Sequence, residues 1–350
     1  MKRFFILLIA CLLIFGACSG GEEIIDIMDD LEPITAEPEI TEDIIDIIED
    51  IYEDSDEIIA QDMEDEFFDV TQTVDFIYEG MPQAINLVYK TVEDTYGVTE
   101  LRFDIFFPTV QVFEKTPLIV GFHGGGWLAG NKSQINFMFS PIIDELRASG
   151  YAVATVQYRF ASPRVIFPSP FEDCADFIIY IKENAAAYNI DPANIGVLGY
   201  SAGAHLAMLT AYAADLDIKY CVSFAGPTKL YGDDPANYSR STMMLVENLF
   251  GGSLTEREDL YKSGSPYFYL ENTEHNKTPL LLAHDRTDGT VPFSQSEIMF
   301  EKAVNSGIET EFIELRGVGH NVDFSVDGMI DKEEAMRAVL NFIYKFYTNY

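Results

Sequence analysis

The most constraining feature of this chain is the turn Gly199-Tyr200-Ser201-Ala202-Gly203, which lies between a short apolar run and a helix-forming segment. The apolar run is 195–198, and the helix-forming segment begins at Ala204. When a strand turns sharply into a helix, the apex residue is strained, and glycines two residues before and after it leave room for the backbone. The apex hydroxyl is then exposed at the sheet edge, above a helix N-terminus. The turn therefore predicts a sheet whose strands are followed by helices.

A second motif lies upstream, where the buried-strand run 117–122 ends in His123-Gly124-Gly125-Gly126-Trp127. Three consecutive glycines cost backbone entropy and add no packing, so they indicate a backbone that something must approach closely. Free N–H groups in such a loop can hold the negatively charged oxygen that forms during acyl transfer.

The remaining motifs lie downstream in a fixed order. The apolar run 279–284 leads into Asp285-Arg286-Thr287-Asp288-Gly289-Thr290-Val291-Pro292, and a strand-like stretch at 310–315 leads into Gly317-Val318-Gly319-His320. The chain order is therefore glycine loop, serine, aspartate and histidine. That order is typical of α/β-hydrolases and differs from the order in other serine hydrolase folds.

From about Asn86 to the C-terminus, the chain resembles the α/β-hydrolase serine esterases of the His-Gly-Gly-Gly group, which include acetyl-esterase-like and hormone-sensitive-lipase-like enzymes. It departs from them at Tyr200, where lipase-like members often carry an acidic residue, and at Ala204, where many have a second glycine. Further matching pieces are Tyr158-Arg159, Phe167-Pro168 with Asp173, Asn184-Ala185-Ala186 through Asp191-Pro192, and Val291-Pro292. The resemblance implies an α/β fold with a mostly parallel twisted sheet, helices on both faces and a cap insertion.

The motifs assign the chemistry to a small set of residues. Ser201 is the expected nucleophile, and the residue after it, Ala202, is expected to give its N–H to the oxyanion hole. Gly125 and Gly126 are the expected partner donors. Asp288 matches the family spacing for the acid, and Asp285, three residues earlier on the same loop, is its competitor.

Five histidines compete for the role of general base. His123 precedes the glycines and is expected to pin their loop, while His205 is expected to pack against the sheet. His275 lies in a polar loop, and His284 ends a strand ahead of the acid. His320 lies on a glycine-rich loop after a predicted strand, so it is the expected base.

Charge is distributed unevenly along the 350 residues, whose formal net charge is −36. Residues 21–70 contain 22 acidic residues and no Lys or Arg, which predicts an acidic low-complexity tether over 19–70. A surface without a basic patch is a poor partner for nucleic acid, so no nucleic-acid binding is expected.

Residues 1–18 resemble a bacterial lipoprotein signal peptide. Lys2-Arg3 is a positive n-region, an apolar stretch follows, and small residues precede Cys18 as the expected lipidated residue. We therefore expect an exported protein, anchored to the cell membrane through Cys18 and facing the extracytoplasmic side. Plain secretion is the alternative. Cys174 and Cys221 are expected to be buried free thiols rather than a disulfide.

The catalytic domain is predicted to span 71–350. Within it, 228–277 is rich in aromatic residues and lacks the strand–helix rhythm, so it is expected to be an irregular cap that forms the substrate pocket. Short-acyl esters are the expected substrates, including acetyl or feruloyl esters on carbohydrate. A lipase or general carboxylesterase is the first alternative, and a non-catalytic binding protein on the same fold is the second. No metal or organic cofactor is expected.

Overall fold

The computed structural model describes residues 83–95, 97–232, 238–270 and 277–347. The predicted signal peptide with Cys18, the acidic tether and His275 lie outside the described residues. Among the described helices, none is both long and apolar enough to cross a lipid bilayer.

One sheet of eight strands organises the described residues, in the order β1-β2-β4-β3-β5-β6-β7-β8. β1 and β2 form an antiparallel hairpin, β2 pairs antiparallel with β4, and all remaining pairs are parallel. The strands are β1 Gln83–Asp94, β2 Gly97–Phe106, β3 Thr116–Phe122, β4 Ala152–Val156, β5 Ile190–Tyr200, β6 Cys221–Phe224, β7 Leu280–Asp285 and β8 Thr310–Leu315. The predicted mostly parallel α/β sheet is confirmed.

Nine helices accompany the strands in the described part of the chain. They are α1 Ser133–Met138, α2 Ser140–Ala148, α3 Ser169–Glu183, α4 Ala202–Tyr212, α5 Arg240–Phe250, α6 Glu258–Ser263, α7 Pro266–Tyr269, α8 Ser294–Asn305 and α9 Lys332–Lys345. Two separate clusters of buried apolar side chains pack in the fold, and each includes residues from β3, β4, β5, β6 and β7. Burial of both sheet faces explains why every residue of β3 and β4 is buried and why both strands are mostly apolar rather than alternating.

The crossover that leads towards β5 is fixed by a buried ion pair. Asp173 on α3 is fully buried, and its two oxygens accept bidentate hydrogen bonds from the Arg159 guanidinium, both at 2.8 Å. Lys90 on β1 donates to the same carboxylate at 2.6 Å. The structural role expected for Asp173 is thus confirmed, and Cys174 and Cys221 are buried free thiols as predicted.

In its described residues, the insertion predicted over 228–277 contains three short helices and no strand. α5, α6 and α7 all lie in this segment, and the side chain of Ser239 caps α5 by accepting from the Thr242 N–H at 3.1 Å. Two of its aromatic residues lie in the core. Phe250 and Tyr261 are fully buried, with ring centroids 4.2 Å apart, and fill the core. The aromatic content therefore supports packing of the insertion onto the sheet domain.

Parallel strands end at a common edge of the sheet, and this places the predicted motifs together. β3 runs directly into the glycine loop, β5 into Ser201, β7 into the aspartate loop and β8 into the His320 loop. Ligands in open α/β sheets bind at this carboxyl edge. The candidate site is therefore built from four loops that follow four different strands.

Candidate active site

Ser201 occupies the strained apex between β5 and α4. Its backbone lies at φ 54° and ψ −119°, outside the conformations that most residues prefer. A Cβ on Gly199 would lie 2.2 Å from the Gly203 carbonyl oxygen, and a Cβ on Gly203 would lie 2.0 Å from the Phe122 carbonyl oxygen. Both glycines are therefore required by close backbone approach, as the pentapeptide motif predicted.

The structure brings the predicted serine, histidine and aspartate into one hydrogen-bonded line. His320 Nε2 lies 3.0 Å from Ser201 Oγ, and His320 Nδ1 lies 2.7 Å from Asp288 Oδ2. Asp288 is fully buried as a side chain, while the His320 side chain keeps 15% exposure towards the site. Among the histidines of the described residues, only His320 brings its imidazole within hydrogen-bond distance of the Ser201 hydroxyl.

The two candidate acids on the loop after β7 have different partners. Asp288 Oδ1 accepts from the N–H groups of Thr290 and Val291 at 2.7 and 2.9 Å, which leaves Oδ2 to His320. Burial raises the pKa of the Asp288 carboxyl, but hydrogen bonds from His284 and His320 outweigh burial and hold this pKa well below its usual range. Asp285 does not contact His320; its carboxylate bonds to Thr287 and to the loop that carries His320.

His284 is a member of the site whose role the sequence analysis missed. Its Nε2 lies 3.0 Å from Asp288 Oδ2 and 3.1 Å from the Val291 carbonyl, and its Nδ1 lies 2.8 Å from Ser296 Oγ. Two acceptors at Nε2 fit the tautomer that carries hydrogen there, with Nδ1 accepting from the Ser296 hydroxyl. The sequence signal was available, since His284 ends the strand that delivers the acid.

The glycine loop has the conformation that the motif predicted. Gly125 and Gly126 have φ of +112° and +57°, and a Cβ on Gly125 would lie only 2.0 Å from the Ala129 carbonyl oxygen. Within the described part of the chain, the amide N–H groups of Gly125, Gly126 and Ala202 donate to no protein acceptor. Unpaired donors of this kind can bind an anionic oxygen.

Two buried histidines brace the glycine loop. His123 Nδ1 lies 2.7 Å from the Gly124 carbonyl, as expected for a residue that pins the loop. His205 is buried, but rather than simply packing against the sheet it bridges two loops: its Nδ1 accepts from Trp127 Nε1 at 3.3 Å, and its Nε2 lies 2.6 Å from the Gly264 carbonyl. Burial lowers the pKa of each of these histidines to about 4, so both are neutral at pH 7.

Trp127 had two predicted positions, at the mouth of the site or behind the glycine loop. It lies behind the loop, with only 2% exposure and its ring edge-on to His205. The insertion approaches the site through α5 instead. A Cβ on Gly126 would lie 2.8 Å from Leu245 Cδ1, and Thr242 Oγ1 donates to the Thr290 carbonyl at 3.1 Å. The helix α5 thus touches both the glycine loop and the acid loop.

A family model described as BD-FAE matches residues 103–303, which is more than half of the chain. The chain belongs to the BD-FAE family. The matched region contains the glycine loop, Ser201 and Asp288, whereas His320 lies beyond it. The loop that follows β8 therefore lies outside the matched region.

The chain is also similar to curated esterases. Esterase LipQ of Mycobacterium tuberculosis is 25% identical over 232 residues, covering 62% of this chain and 53% of LipQ. The versiconal hemiacetal acetate esterase of Dothistroma septosporum is 25% identical over 194 residues, covering 53% of this chain and 58% of that enzyme. This BD-FAE chain thus spans about half the length of the curated relatives that it matches.

Among solved structures, a truncated carbohydrate esterase from gut microbiota superposes with a TM-score of 0.61 at 21% identity. The match covers 75% of this chain and 95% of that protein. At this identity the likeness shows the fold. The predicted α/β-hydrolase architecture of this BD-FAE member is confirmed.

Proposed function

We propose that this protein is a carboxylic ester hydrolase that uses Ser201 as nucleophile, His320 as general base and Asp288 as the orienting acid. The observation that carries the proposal is the line from Ser201 Oγ to His320 Nε2 at 3.0 Å and from His320 Nδ1 to Asp288 Oδ2 at 2.7 Å. A base within hydrogen-bond reach of a nucleophile, itself oriented by a third group, is the arrangement that activates a serine. BD-FAE membership and the esterases among the relatives support the same reaction class.

The proposed reaction has two halves. Ser201 Oγ bonds to the ester carbonyl carbon while His320 Nε2 takes the serine proton. The bond from that carbon to the alcohol oxygen then breaks, and Nε2 returns the proton to the departing alcohol. Water next attacks the acyl-serine, gives a proton to His320, and releases the carboxylic acid and free Ser201. Asp288 stays ionised throughout and faces the imidazolium that forms in each half.

The oxyanion formed at the carbonyl carbon is assigned to the N–H groups of Gly125, Gly126 and Ala202. The support is that all three amides lack protein acceptors in the described part of the chain and that Ala202 begins α4. The N-terminus of a helix carries partial positive charge, which favours an anion. Each such donor is worth about a hundred- to a thousand-fold in rate in comparable enzymes.

Short acyl esters, including acetyl or feruloyl esters on carbohydrate, are the proposed substrates. Leu245 lies close to Gly126, since a Cβ on that glycine would meet Leu245 Cδ1 at 2.8 Å, and we expect it to limit the room beside the substrate carbonyl. A solved relative of the same fold is named as a carbohydrate esterase. A lipase or general carboxylesterase with a deeper apolar pocket is the alternative, and it predicts the opposite dependence on acyl length.

The test is hydrolysis of acetyl, butyryl and octanoyl p-nitrophenyl esters by the purified protein beside its Ser201→Ala variant. We expect serine-dependent hydrolysis that falls steeply with acyl length, after which acetylated xylan is the next substrate. Activity that rises with acyl length would favour the lipase alternative. Equal turnover by Ser201→Ala, or no turnover of any ester, would overturn the triad mechanism and favour a binding protein on the hydrolase fold.

We also propose that the protein is exported and anchored to the cell membrane by lipid on Cys18. The support is the sequence alone: a basic n-region, an apolar stretch and small residues before the cysteine. Expressed in a bacterial host, the protein should sediment with the membrane fraction and incorporate labelled palmitate. The Cys18→Ser variant should do neither; palmitate incorporation by that variant would contradict the assignment.

A further inference from the structure

The carboxylate of Asp285 joins two loops of the site, although it does not touch His320. Its Oδ1 accepts from the N–H and the hydroxyl of Thr287 at 2.8 and 2.7 Å. Its Oδ2 accepts from the N–H groups of Val318 and Gly319 at 2.8 and 2.9 Å. Asp285 is itself 2% exposed, whereas Thr287 is exposed and Val318 and Gly319 are half-buried, so the carboxylate is covered by the two loops that it joins.

The bonds to Oδ2 act on the segment of chain that delivers His320. Val318 and Gly319 are the two residues before it, and the glycines at 317 and 319 have φ of +82° and +54°. Glycine-rich segments lose more backbone entropy than others when they are ordered, so this loop needs strong partners. Hydrogen bonds from N–H groups to a carboxylate are about twice as strong as bonds between neutral groups.

The opposite side of His320 is held by a different residue. The hydroxyl of Tyr200, the residue before Ser201, donates to the His320 carbonyl at 2.7 Å. Asp285 therefore fixes the chain on the N-terminal side of the histidine, and Tyr200 fixes the histidine's own carbonyl. With both in place, the imidazole stands between Asp288 and Ser201 with bonds of 2.7 and 3.0 Å.

We propose that Asp285 is a positioning residue, which clamps the Val318–Gly319 backbone to the end of β7 and so sets the imidazole of His320 for proton transfer. The two aspartates have different roles: Asp288 contacts the imidazole of His320, and Asp285 contacts the backbone just before His320. The inference rests on the proposed function, because it needs His320 to be the general base.

Asp285→Asn is the decisive variant, because it keeps the size of the side chain and removes one acceptor. An amide can accept at only one of its two ends and carries no charge. Even with its oxygen facing Val318 and Gly319, the clamp therefore loses the extra strength of bonds to a carboxylate. Thr287→Val is the matched control, since it removes one donor to Oδ1 and leaves both bonds to Oδ2 in place. Circular dichroism melting of both variants, with assays far below the melting point, separates positioning from loss of fold.

With p-nitrophenyl acetate, we expect Asp285→Asn to lower kcat about 10- to 100-fold with KM within about 2-fold, because misplacement of a catalytic group by about 1 Å can cost ~100-fold. Labelling of Ser201 by diethyl p-nitrophenyl phosphate should slow in parallel, since it also needs the base. Exchange of the backbone amides at 317–320 should speed up. Thr287→Val should change none of these by more than about 2-fold.

Three outcomes are distinguishable. An active wild type whose kcat and labelling rate survive in Asp285→Asn would overturn the positioning role and leave the proposed function standing. Equal losses of kcat in Asp285→Asn and Thr287→Val would also overturn it. The cause would then be disruption of the turn at Thr287 rather than loss of the bonds from Val318 and Gly319 to Asp285. A wild type that hydrolyses no ester, or does so equally as Ser201→Ala, would overturn both proposals together.

Discussion

At the scale of single residues, Asp288 Oδ2 is shared by two histidines. His320 contacts it from the Ser201 side, and His284 contacts it at 3.0 Å from the opposite side, where Ser296 Oγ lies 2.8 Å from His284 Nδ1. The hydrogen-bonded line therefore extends two residues beyond the proposed triad. A carboxylate held by several donors keeps one orientation and stays ionised. His284 thus helps to hold the Asp288 carboxylate, which in turn orients the imidazole of His320.

His284→Leu should lower kcat for p-nitrophenyl acetate about tenfold, which corresponds to ~1.4 kcal/mol of transition-state stabilisation. The physical reason is that Asp288 would lose a buried donor and with it part of its fixed orientation. Ser296→Ala is the matched control, because it leaves the bond from His284 to Asp288 intact, and it should lose less than about threefold. Steady-state kinetics on both variants checks this; a larger loss in Ser296→Ala would contradict it.

The sequence predicted the three reactive residues but could not separate the roles of the two aspartates. Asp285 and Asp288 lie on one loop, and both are polar, buried and three residues apart. What separates them is the direction of each side chain, which depends on where the His320 loop returns after β8. That return is a long-range contact with no local signature, so residue spacing could favour Asp288 but not show what Asp285 does.

At the scale of elements, strands were easier to predict than helices. Buried strands such as β3 and β7 contain the apolar runs 117–122 and 280–283, which are visible directly in the sequence. Helix α8 is harder to recognise in the sequence, because its buried face includes Gln295 and Ser296 beside Met299 and Ala303, which hides the apolar periodicity. Those buried polar side chains have local partners: Gln295 accepts from the N–H of Thr228, and Ser296 contacts His284.

Helix α5 is the element that we expect to set acyl-length preference. Leu245 lies against Gly126, so Leu245→Ala should open space beside the proposed oxyanion site. We expect the ratio of kcat/KM for the butyryl ester to that for the acetyl ester to rise about 10-fold, which is the scale expected for one or two methylenes in an apolar pocket. Met244→Ala, one residue earlier on the same helix, should leave the ratio unchanged. If both variants shift the ratio equally, α5 acts through its overall position rather than through Leu245.

At the scale of the whole molecule, the predicted catalytic domain is acidic: residues 71–350 hold 36 acidic and 20 basic residues, which is −16 of the formal net charge of −36. Like charges repel one another in the compact state, and dissolved salt screens that repulsion. We therefore expect the melting temperature at pH 7 to rise as NaCl increases from about 10 mM to about 500 mM, where the Debye length falls severalfold. Differential scanning calorimetry checks this, and a fall with salt would indicate that ion pairs dominate over repulsion.

Lowering the pH sets two effects against each other. Protonation of surface carboxylates reduces the net repulsion, which stabilises the fold as the pH approaches the pI. Asp285 acts in the opposite direction: burial raises the pKa of its carboxyl, but the hydrogen bonds from Thr287, Val318 and Gly319 prevail, and this pKa lies below its usual range. A carboxyl whose folded pKa is depressed contributes stability above its unfolded pKa of about 3.9, and the contribution is lost as the pH falls towards the folded value.

The free energy of unfolding of Asp285→Asn should therefore fall below that of the wild type by the largest amount at pH 7, and the gap should narrow as the pH drops below about 4. Asparagine carries no proton to lose, so the variant cannot take part in this titration. Urea unfolding of both proteins at pH 7, 5 and about 3.5 measures the gap directly. A gap that stays constant over this range would mean that ionisation of the Asp285 carboxyl does not contribute to stability. The charge of Asp285 would then play no part in holding the two loops together.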